Sequence, residues 1–220
     1  MIYSPGGTHI VGSIGAANGI ASIRDVAFDA AGNLYVSCEN TSNGSTGVME
    51  FAPTLQRSIA WYPSPTSQNY GITVDDRDNL FVDLGFYGTA IEFTRANPNV
   101  FTTVAIGGAP TAGGIVFSEG NLIMSGGTGL WIFSPSPPAS KFAFTLAGYI
   151  DYGVGHATGY LARGRDGTLY VPIFGSSGGH SSVHEVRVYR QSADKPFQGS
   201  VYSTLSSGLQ EPAAVAIGPR

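Results

Sequence analysis

The stretch "VAFDAAGNLYV", residues 26–36, holds two runs of apolar residues on either side of a turn rich in Asp, Gly and Asn. These turn residues adopt positive φ values at low cost, so the stretch predicts two antiparallel strands joined by a tight turn. The pattern returns as "ITVDDRDNLFV" at 72–82, "IVFSEGNLIM" at 115–124 and "LARGRDGTLYV" at 161–171. The chain therefore contains four related hairpins.

The spacing of the hairpins predicts the architecture. Their equivalent leucines are 46, 42 and 47 residues apart, at Leu34, Leu80, Leu122 and Leu169. Each hairpin is followed by a third strand-like segment, "VMEFAP", "AIEFTR", "LWIFSP" or "VRVYRQ", and then by a fourth. Four short strands in each repeat of this length are typical of the blades of a β-propeller.

The chain ends extend the pattern. "MIYSPGG" matches a third strand, "HIVGSIG" a fourth, and "PAAVAIGPR" a first. We predict an all-β fold, one β-propeller domain over residues 1–220, with antiparallel four-stranded blades starting near 26, 72, 115 and 161. A fifth blade would be shared between residues 1–15 and 212–220. The alternative is a fragment of a six-bladed propeller; we favour closure because an open ring exposes two blade edges.

Composition narrows the classes of partner. Only 12% of the residues are charged, the formal net charge is −4, and the Lys and Arg residues are scattered, which argues against nucleic acid. No apolar run is long enough to span a membrane. The single Cys38 has no partner for an internal disulfide. We expect a monomer that binds a protein or a small molecule.

The sequence leaves localisation open. The N-terminus "MIYSPGGTHIVGSIG" has neither the basic start nor the apolar core of a signal peptide. The low charge and the Ser, Thr and Gly content nevertheless resemble those of secreted bacterial proteins. An extracellular or periplasmic location would require a leader that is absent from this chain.

The repeat pattern "G-I-x-V-D-x-x-G-N-L-Y-V", followed by "I-x-E-F" or "V-x-V-Y", resembles the NHL-repeat propellers and their relatives, the regucalcin and gluconolactonase group and virginiamycin B lyase. The resemblance implies a propeller and many different functions. The regucalcin and gluconolactonase group holds a divalent metal, such as calcium, through carboxylate and amide side chains in the channel. At the matching level this chain offers Asp25 as the only carboxylate and no Asn, and the lyase supplies no His and Glu match.

The starts of the first strands are the first candidate site. These positions normally face the channel entrance of a propeller, and here they carry Arg24, Asp25, Tyr70 and Tyr160. The two tyrosines with the Arg-Asp pair predict a site for a small polar ligand. The alternative is structural: Arg24 and Asp25 partly neutralise each other, and glycines at the same level let the strands crowd together.

Long loops on the same predicted face provide the second candidate site. They carry two carboxylates and two imidazoles, from Glu39, Asp151, His156 and His180. These groups suit a divalent metal if they converge, but no short spacing forces them to do so. Scattered polar residues on surface loops are the alternative.

Other repeated residues have structural interpretations. One position in each blade is aromatic, at Phe51, Phe93, Phe133, Tyr189 and Tyr3, which predicts packing between blades. The acidic run Asp75, Asp76 and Asp78 lacks the spacing of a calcium loop and predicts a turn. The leading hypothesis is a non-catalytic binding scaffold. The alternatives are a metal-dependent, lactonase-like hydrolase or a lyase at the channel, and a fragment of a larger secreted protein.

Overall fold

A computed structural model describes residues 2–3, 10–55, 57–67, 69–85, 89–107, 113–126, 129–138, 140, 142–151, 157–158, 160–164, 166–175, 183–190 and 201–205, and the structural statements below concern these residues. Within them, every regular element is a strand except one 3-10 turn at Ala16–Asn18. The predicted all-β class is confirmed.

The strands are arranged blade by blade. A short pair, β1 (Ile2–Tyr3) and β2 (Ile10–Gly12), precedes the first blade, which contains β3 (Ile20–Phe28), β4 (Leu34–Asn40), β5 (Thr46–Phe51) and β6 (Ser58–Pro63). The second blade contains β7 (Ile72–Val74), β8 (Leu80–Asp83), β9 (Thr89–Phe93) and β10 (Phe101–Gly107). The third contains β11 (Ile115–Ser118), β12 (Asn121–Gly126), β13 (Gly129–Pro135) and β14 (Phe144–Asp151).

The fourth blade has an inner strand in two pieces, β15 (Ala157–Thr158) and β16 (Ala162–Arg163), followed by β17 (Leu169–Gly175), β18 (Val183–Tyr189) and β19 (Val201–Leu205). Both pieces pair with β17. In all four blades, strands consecutive in the chain pair antiparallel, from the inner strand to the outer one. Four-stranded antiparallel sheets repeated in this way are the blades of a β-propeller, so the predicted fold is confirmed.

Turn chemistry explains why the hairpins recur. In the first blade, Asp29 Oδ1 accepts a 2.8 Å hydrogen bond from the backbone N–H of Asn33, and Asp29 Oδ2 accepts one of 2.7 Å from the Asn33 side-chain amide. Asp75 and Asn79 repeat the arrangement in the second blade at 2.8 and 3.0 Å. The prediction that Asp75 serves a turn is confirmed.

The core lies between the blades because successive residues of a strand point to opposite faces of its sheet. On β8, Leu80 and Val82 pack against the first blade, whereas Phe81 packs against the third. The same alternation places Leu122 and Ile123 of β12 in different inter-blade cores. The hairpin leucines Leu80, Leu122 and Leu169 therefore face the blade before their own, and the residues that follow a hairpin leucine at Tyr35, Phe81 and Ile123 face the blade after.

The repeated aromatic position is buried as predicted. The exposed fraction of the side chains is at most 2% at Phe51, Phe93, Phe133 and Tyr189. The side chain of Tyr3 lies outside the description. In the second blade, the pairing of β9 with the outer strand β10 has no bulge at the aromatic residue Phe93. β10 also pairs with β14, the outer strand of the third blade, through a short parallel ladder.

The closure of the ring involves residues that lie outside the description. β1 and β2 pair antiparallel, through Tyr3 and Ile10 among others, as the third and fourth strands of a blade would. Residues 206–220, which contain the predicted first strand of that blade, are not among those described. Five-bladed closure therefore stays a prediction. No helix of the described residues has the length and apolar character needed to cross a membrane.

Candidate functional site

The four residues predicted at the starts of the inner strands lie close together. The Arg24 guanidinium carbon is 5.8 Å from the centroid of the Tyr70 ring, a cation–π distance. Burial and then the charge of Asp25 raise the pKa of Tyr160, and the charges of Arg24 and Asp83 also act on this phenol. We call this end of the channel the narrow end. Whether these residues bind a ligand stays a prediction.

Glycines make this end narrow. A Cβ atom on Gly71 would lie 2.6 Å from the backbone nitrogen of Ile115, and one on Gly114 would lie 2.6 Å from that of Leu161. Real Cβ atoms do not approach backbone this closely, so glycine is required where one inner strand meets the next. The crowding of strands considered from the sequence is present, although Arg24 and Asp25 form no ion pair among the described residues.

A β-bulge aims Arg24 at this site. Ala21 pairs with Glu39 and Asp25 with Ser37, so three residues of β3 lie opposite one residue of β4. Ser22, inside the bulge, has a φ of 49°, a conformation uncommon for residues other than glycine. Its hydroxyl donates a 3.2 Å hydrogen bond to Glu39. Bulges of this kind commonly redirect side chains beside functional sites. The sequence "ASIRD", residues 21–25, contains no pattern that predicts a bulge.

Asp25 joins two blades. Its Oδ1 accepts a hydrogen bond of 2.8 Å from the N–H of Val26, and its Oδ2 accepts one of 2.8 Å from the N–H of Ile72 in the second blade. Burial raises the pKa of Asp25 to about 7, although both N–H groups oppose the rise. A carboxyl group at this position therefore titrates near neutrality.

Asp83 connects the second blade to the third in a similar way, and the sequence did not predict it as a site residue. Its carboxylate accepts hydrogen bonds from the N–H groups of Gly85 at 2.8 Å and of Gly113 in the third blade at 3.4 Å. Burial raises its pKa to about 6. The repeats contained a signal: the residue after "LFV" is polar in three blades, at Ser37, Asp83 and Ser125. Ser125 accepts a 2.7 Å hydrogen bond from the N–H of Gly114.

Several buried polar atoms near these residues have no hydrogen-bond partner within the described part of the chain. They are Arg24 Nε, Ser37 Oγ, and both Nδ2 and Oδ1 of Asn69. Ser37 lies opposite Asp25 on β4, and Asn69 directly precedes Tyr70. Ser37 and Asn69 have no exposed surface. Folded proteins rarely leave such groups unsatisfied, and each instance calls for a bound molecule or another physical reason.

The second predicted site is only partly described. Glu39 is half-buried and accepts the Ser22 hydroxyl, while Asp151 is exposed at the end of β14. His156 and His180 lie outside the described residues. Among the residues described, no three His, Cys, Asp or Glu side chains form a group that could hold a metal. The metal site remains a prediction that the structure does not test.

Comparisons with known proteins concern the fold. No protein-family model matches the chain, and none of the curated proteins searched is similar in sequence. Solved structures are similar: Kuenenia stuttgartiensis hydrazine synthase has a TM-score of 0.54 at 13% identity, over 91% of this chain and 51% of its own. A nidogen/laminin complex has a TM-score of 0.58 at 14% identity, over 89% and 68%.

A Bacteroides caccae protein of unknown function has a TM-score of 0.59 at 12% identity, over 88% of this chain and 71% of its own. The chain thus spans between about half and 71% of the length of these three structures. At such low identities the likeness supports the β-propeller fold alone.

Proposed function

We propose that this β-propeller is a non-catalytic binding protein of the NHL-like type, whose narrow end takes a small polar ligand. The observation that carries the proposal is the set of buried, unpartnered polar atoms of Arg24, Ser37 and Asn69. A ligand that both donates and accepts hydrogen bonds would satisfy Arg24 first, and would reach the enclosed Ser37 and Asn69 once neighbouring side chains move. Tyr70 and Tyr160 supply ring faces beside Arg24.

The geometry of the two carboxyl groups favours binding over catalysis. Asp25 and Asp83 have pKa values near neutrality, as a general base does, but their oxygens hold backbone N–H groups of adjacent inner strands. This is the arrangement of a structural bridge. Use of the loop face for a protein partner, a monomeric state and an extracellular or periplasmic location belong to the same proposal.

A second candidate is a metal-dependent, lactonase-like hydrolase or a lyase. The pKa of Asp25, about 7, favours it, because perturbed titration in a cleft is common at catalytic sites. Hydrolysis of δ-valerolactone with and without added Ca²⁺ separates the two candidates. We expect hydrolysis at the rate of buffer alone. Turnover that disappears in Asp25→Asn while the fold persists would establish the enzyme instead.

Binding is tested with L-lactate as the probe, since its carboxylate suits Arg24 and its hydroxyl both donates and accepts. The Tm of the wild-type protein should rise with L-lactate concentration, because a ligand that binds only the folded state stabilises it. Arg24→Gln should abolish the rise. Arg57→Gln, which removes an exposed charge at the outer strand of the first blade, is the matched control and should keep it. An equal rise in Arg24→Gln would contradict the site.

A further inference from the structure

The opposite end of the channel contains a cavity. Its volume is about 410 Å³, within the range of small-molecule sites, and the inner strands of all four described blades line it. We call it the wide end. The glycines of the narrow end are replaced here by larger side chains, including Phe28, Val74, Phe117 and Arg163. The cavity therefore lies at the end of the channel toward which the inner strands run.

Polar and apolar side chains share the wall of the cavity, and one aromatic ring among them is held in place by a neighbour. Phe28 and Phe117 are both half-buried and line it. The Phe117 ring stacks on that of Phe81, with centroids 5.7 Å apart and planes inclined by 12°. A flat apolar ligand would find a fixed surface at Phe117.

Two acidic groups of the wall are already engaged. The Asp29 carboxylate is fully buried, forms a 2.9 Å ion pair with Arg95, and also accepts hydrogen bonds from Asn33. Asp75 accepts the hydrogen bonds that close its own turn. Neither carboxylate needs a ligand. The other charged groups of the wall are Asp76 and Arg163.

The Arg163 guanidinium makes few hydrogen bonds for the number of donors that it carries. Its Nη1 reaches Asp76 Oδ1 of the second blade and the Phe117 carbonyl of the third, each at 3.4 Å, the long limit of a hydrogen bond. Its Nε is buried and has no hydrogen-bond partner among the described residues. The Asp76 side chain is 69% exposed, so solvent screens this ion pair. A guanidinium offers five donors and binds carboxylates best through two of them.

We propose that the wide end is a second binding site, for a small organic carboxylate with an apolar body. The carboxylate takes the place of Asp76 on Arg163, and the apolar body lies against Phe28 and Phe117. The exposed Asp76 carboxylate moves into solvent, and the loss of its screened ion pair costs little free energy. The site is at the other end of the channel from the narrow end, and its ligand is of a different kind because it needs no hydroxyl group.

Titration calorimetry of the full chain with benzoate tests this site, with benzamide as the uncharged analogue. Benzoate should bind and benzamide should bind at least about tenfold more weakly, since the analogue lacks the charge that strengthens hydrogen bonds to Arg163. Arg163→Gln should weaken benzoate by a similar factor. Arg77→Gln, an exposed arginine in the turn at the same end, should leave it unchanged.

Asp76→Asn keeps the proposal testable if Arg163→Gln does not fold. It removes a competing, exposed carboxylate, so benzoate should bind several-fold more tightly. Weaker binding to Asp76→Asn, or equal binding to Arg163→Gln and the wild type, would overturn the proposal. Loss of the L-lactate response in Arg24→Gln and loss of benzoate binding in Arg163→Gln are separate results, so failure at the narrow end and failure at the wide end are distinguishable.

Discussion

The carboxylate of Asp25, on the inner strand of the first blade, accepts a 2.8 Å hydrogen bond from the backbone N–H of Ile72, on the inner strand of the second. Forty-seven residues separate the two in the chain. Asp83 forms the corresponding bond to Gly113 across the next junction. The narrow end is thus held by side chains of one blade, Asp25 on the inner strand and Asp83 on β8, that bind backbone N–H groups at the start of the next blade's inner strand.

Replacing Asp25 by Ala should destabilise the protein. The substitution leaves the N–H groups of Val26 and Ile72 without their acceptor, and Ile72 is buried. We expect a loss of about 1–3 kcal/mol in the free energy of unfolding at pH 5. Chemical denaturation measures it. Asp151→Ala, at an exposed position, is the control; equal losses in the two variants would contradict the bridging role.

Stability should fall as the pH rises toward neutrality. Burial raises the pKa of Asp25 from 3.8 to about 7 in the folded protein, so the folded state binds this proton more tightly than the unfolded state does. The resulting stabilisation is complete below pH 3.8 and is lost as the pH approaches 7. Asp83, with a pKa of about 6, acts in the same direction.

Thermal unfolding between pH 4 and pH 8 measures this effect. The Tm of the wild-type protein should decline over this range, and that of Asp25→Asn should decline less, because Asn does not titrate. A Tm that rises with pH, or a decline that is equal in the two proteins, would show that Asp25 does not carry the effect.

The close approach of inner strands predicts that substitution of Gly114 strongly destabilises the protein. An added Cβ would lie 2.6 Å from the backbone nitrogen of Leu161, and the backbone there has no flexible end to move. Gly114→Ala should therefore cost about 1–3 kcal/mol or more. Gly148→Ala is the matched control, since its Cβ would meet Ile132 Cδ1 at an ordinary 3.5 Å. Chemical denaturation should separate the two variants; equal stability would mean that the strands are farther apart than described.

A buried hydrogen bond outside the channel gives a fourth prediction. Tyr62 donates to Glu50 Oε2 at 2.7 Å, and Glu50 is 4% exposed. Tyr62→Phe leaves a buried carboxyl group without this donor and should cost about 1–3 kcal/mol. Tyr149→Phe, at an exposed position of the outer strand of the third blade, should cost much less. A Tyr62→Phe variant that is as stable as the wild type in denaturant would contradict this prediction.

The fold could be predicted because its information is local and repeated. Leu34 and its equivalents mark a hairpin, and a strand period of two then fixes which face each neighbour buries, as Leu80 and Phe81 show. The repeated Phe51 position is buried for the same reason. A single blade supplies these signals, and four copies make them unmistakable.

The site could be predicted only in part because its contacts cross from blade to blade. Alignment of the repeats placed Arg24 beside Tyr70, but the bulge at Ser22 has no local sequence signal. Asp83 was missed because its role depends on a backbone N–H group thirty residues away. The wide end is lined by four separate inner strands, so the role proposed for Arg163 could not be predicted from any one repeat.

The central claim, that the narrow end binds a small polar ligand through its unpartnered groups, is tested most directly by NMR. Uniformly ¹⁵N-labelled protein is titrated with L-lactate while the Nε–H signal of Arg24 and the side-chain amide signals of Asn69 are followed. We predict saturable shifts of these signals. Saturating L-lactate that leaves the Arg24 and Asn69 signals in place would contradict the claim.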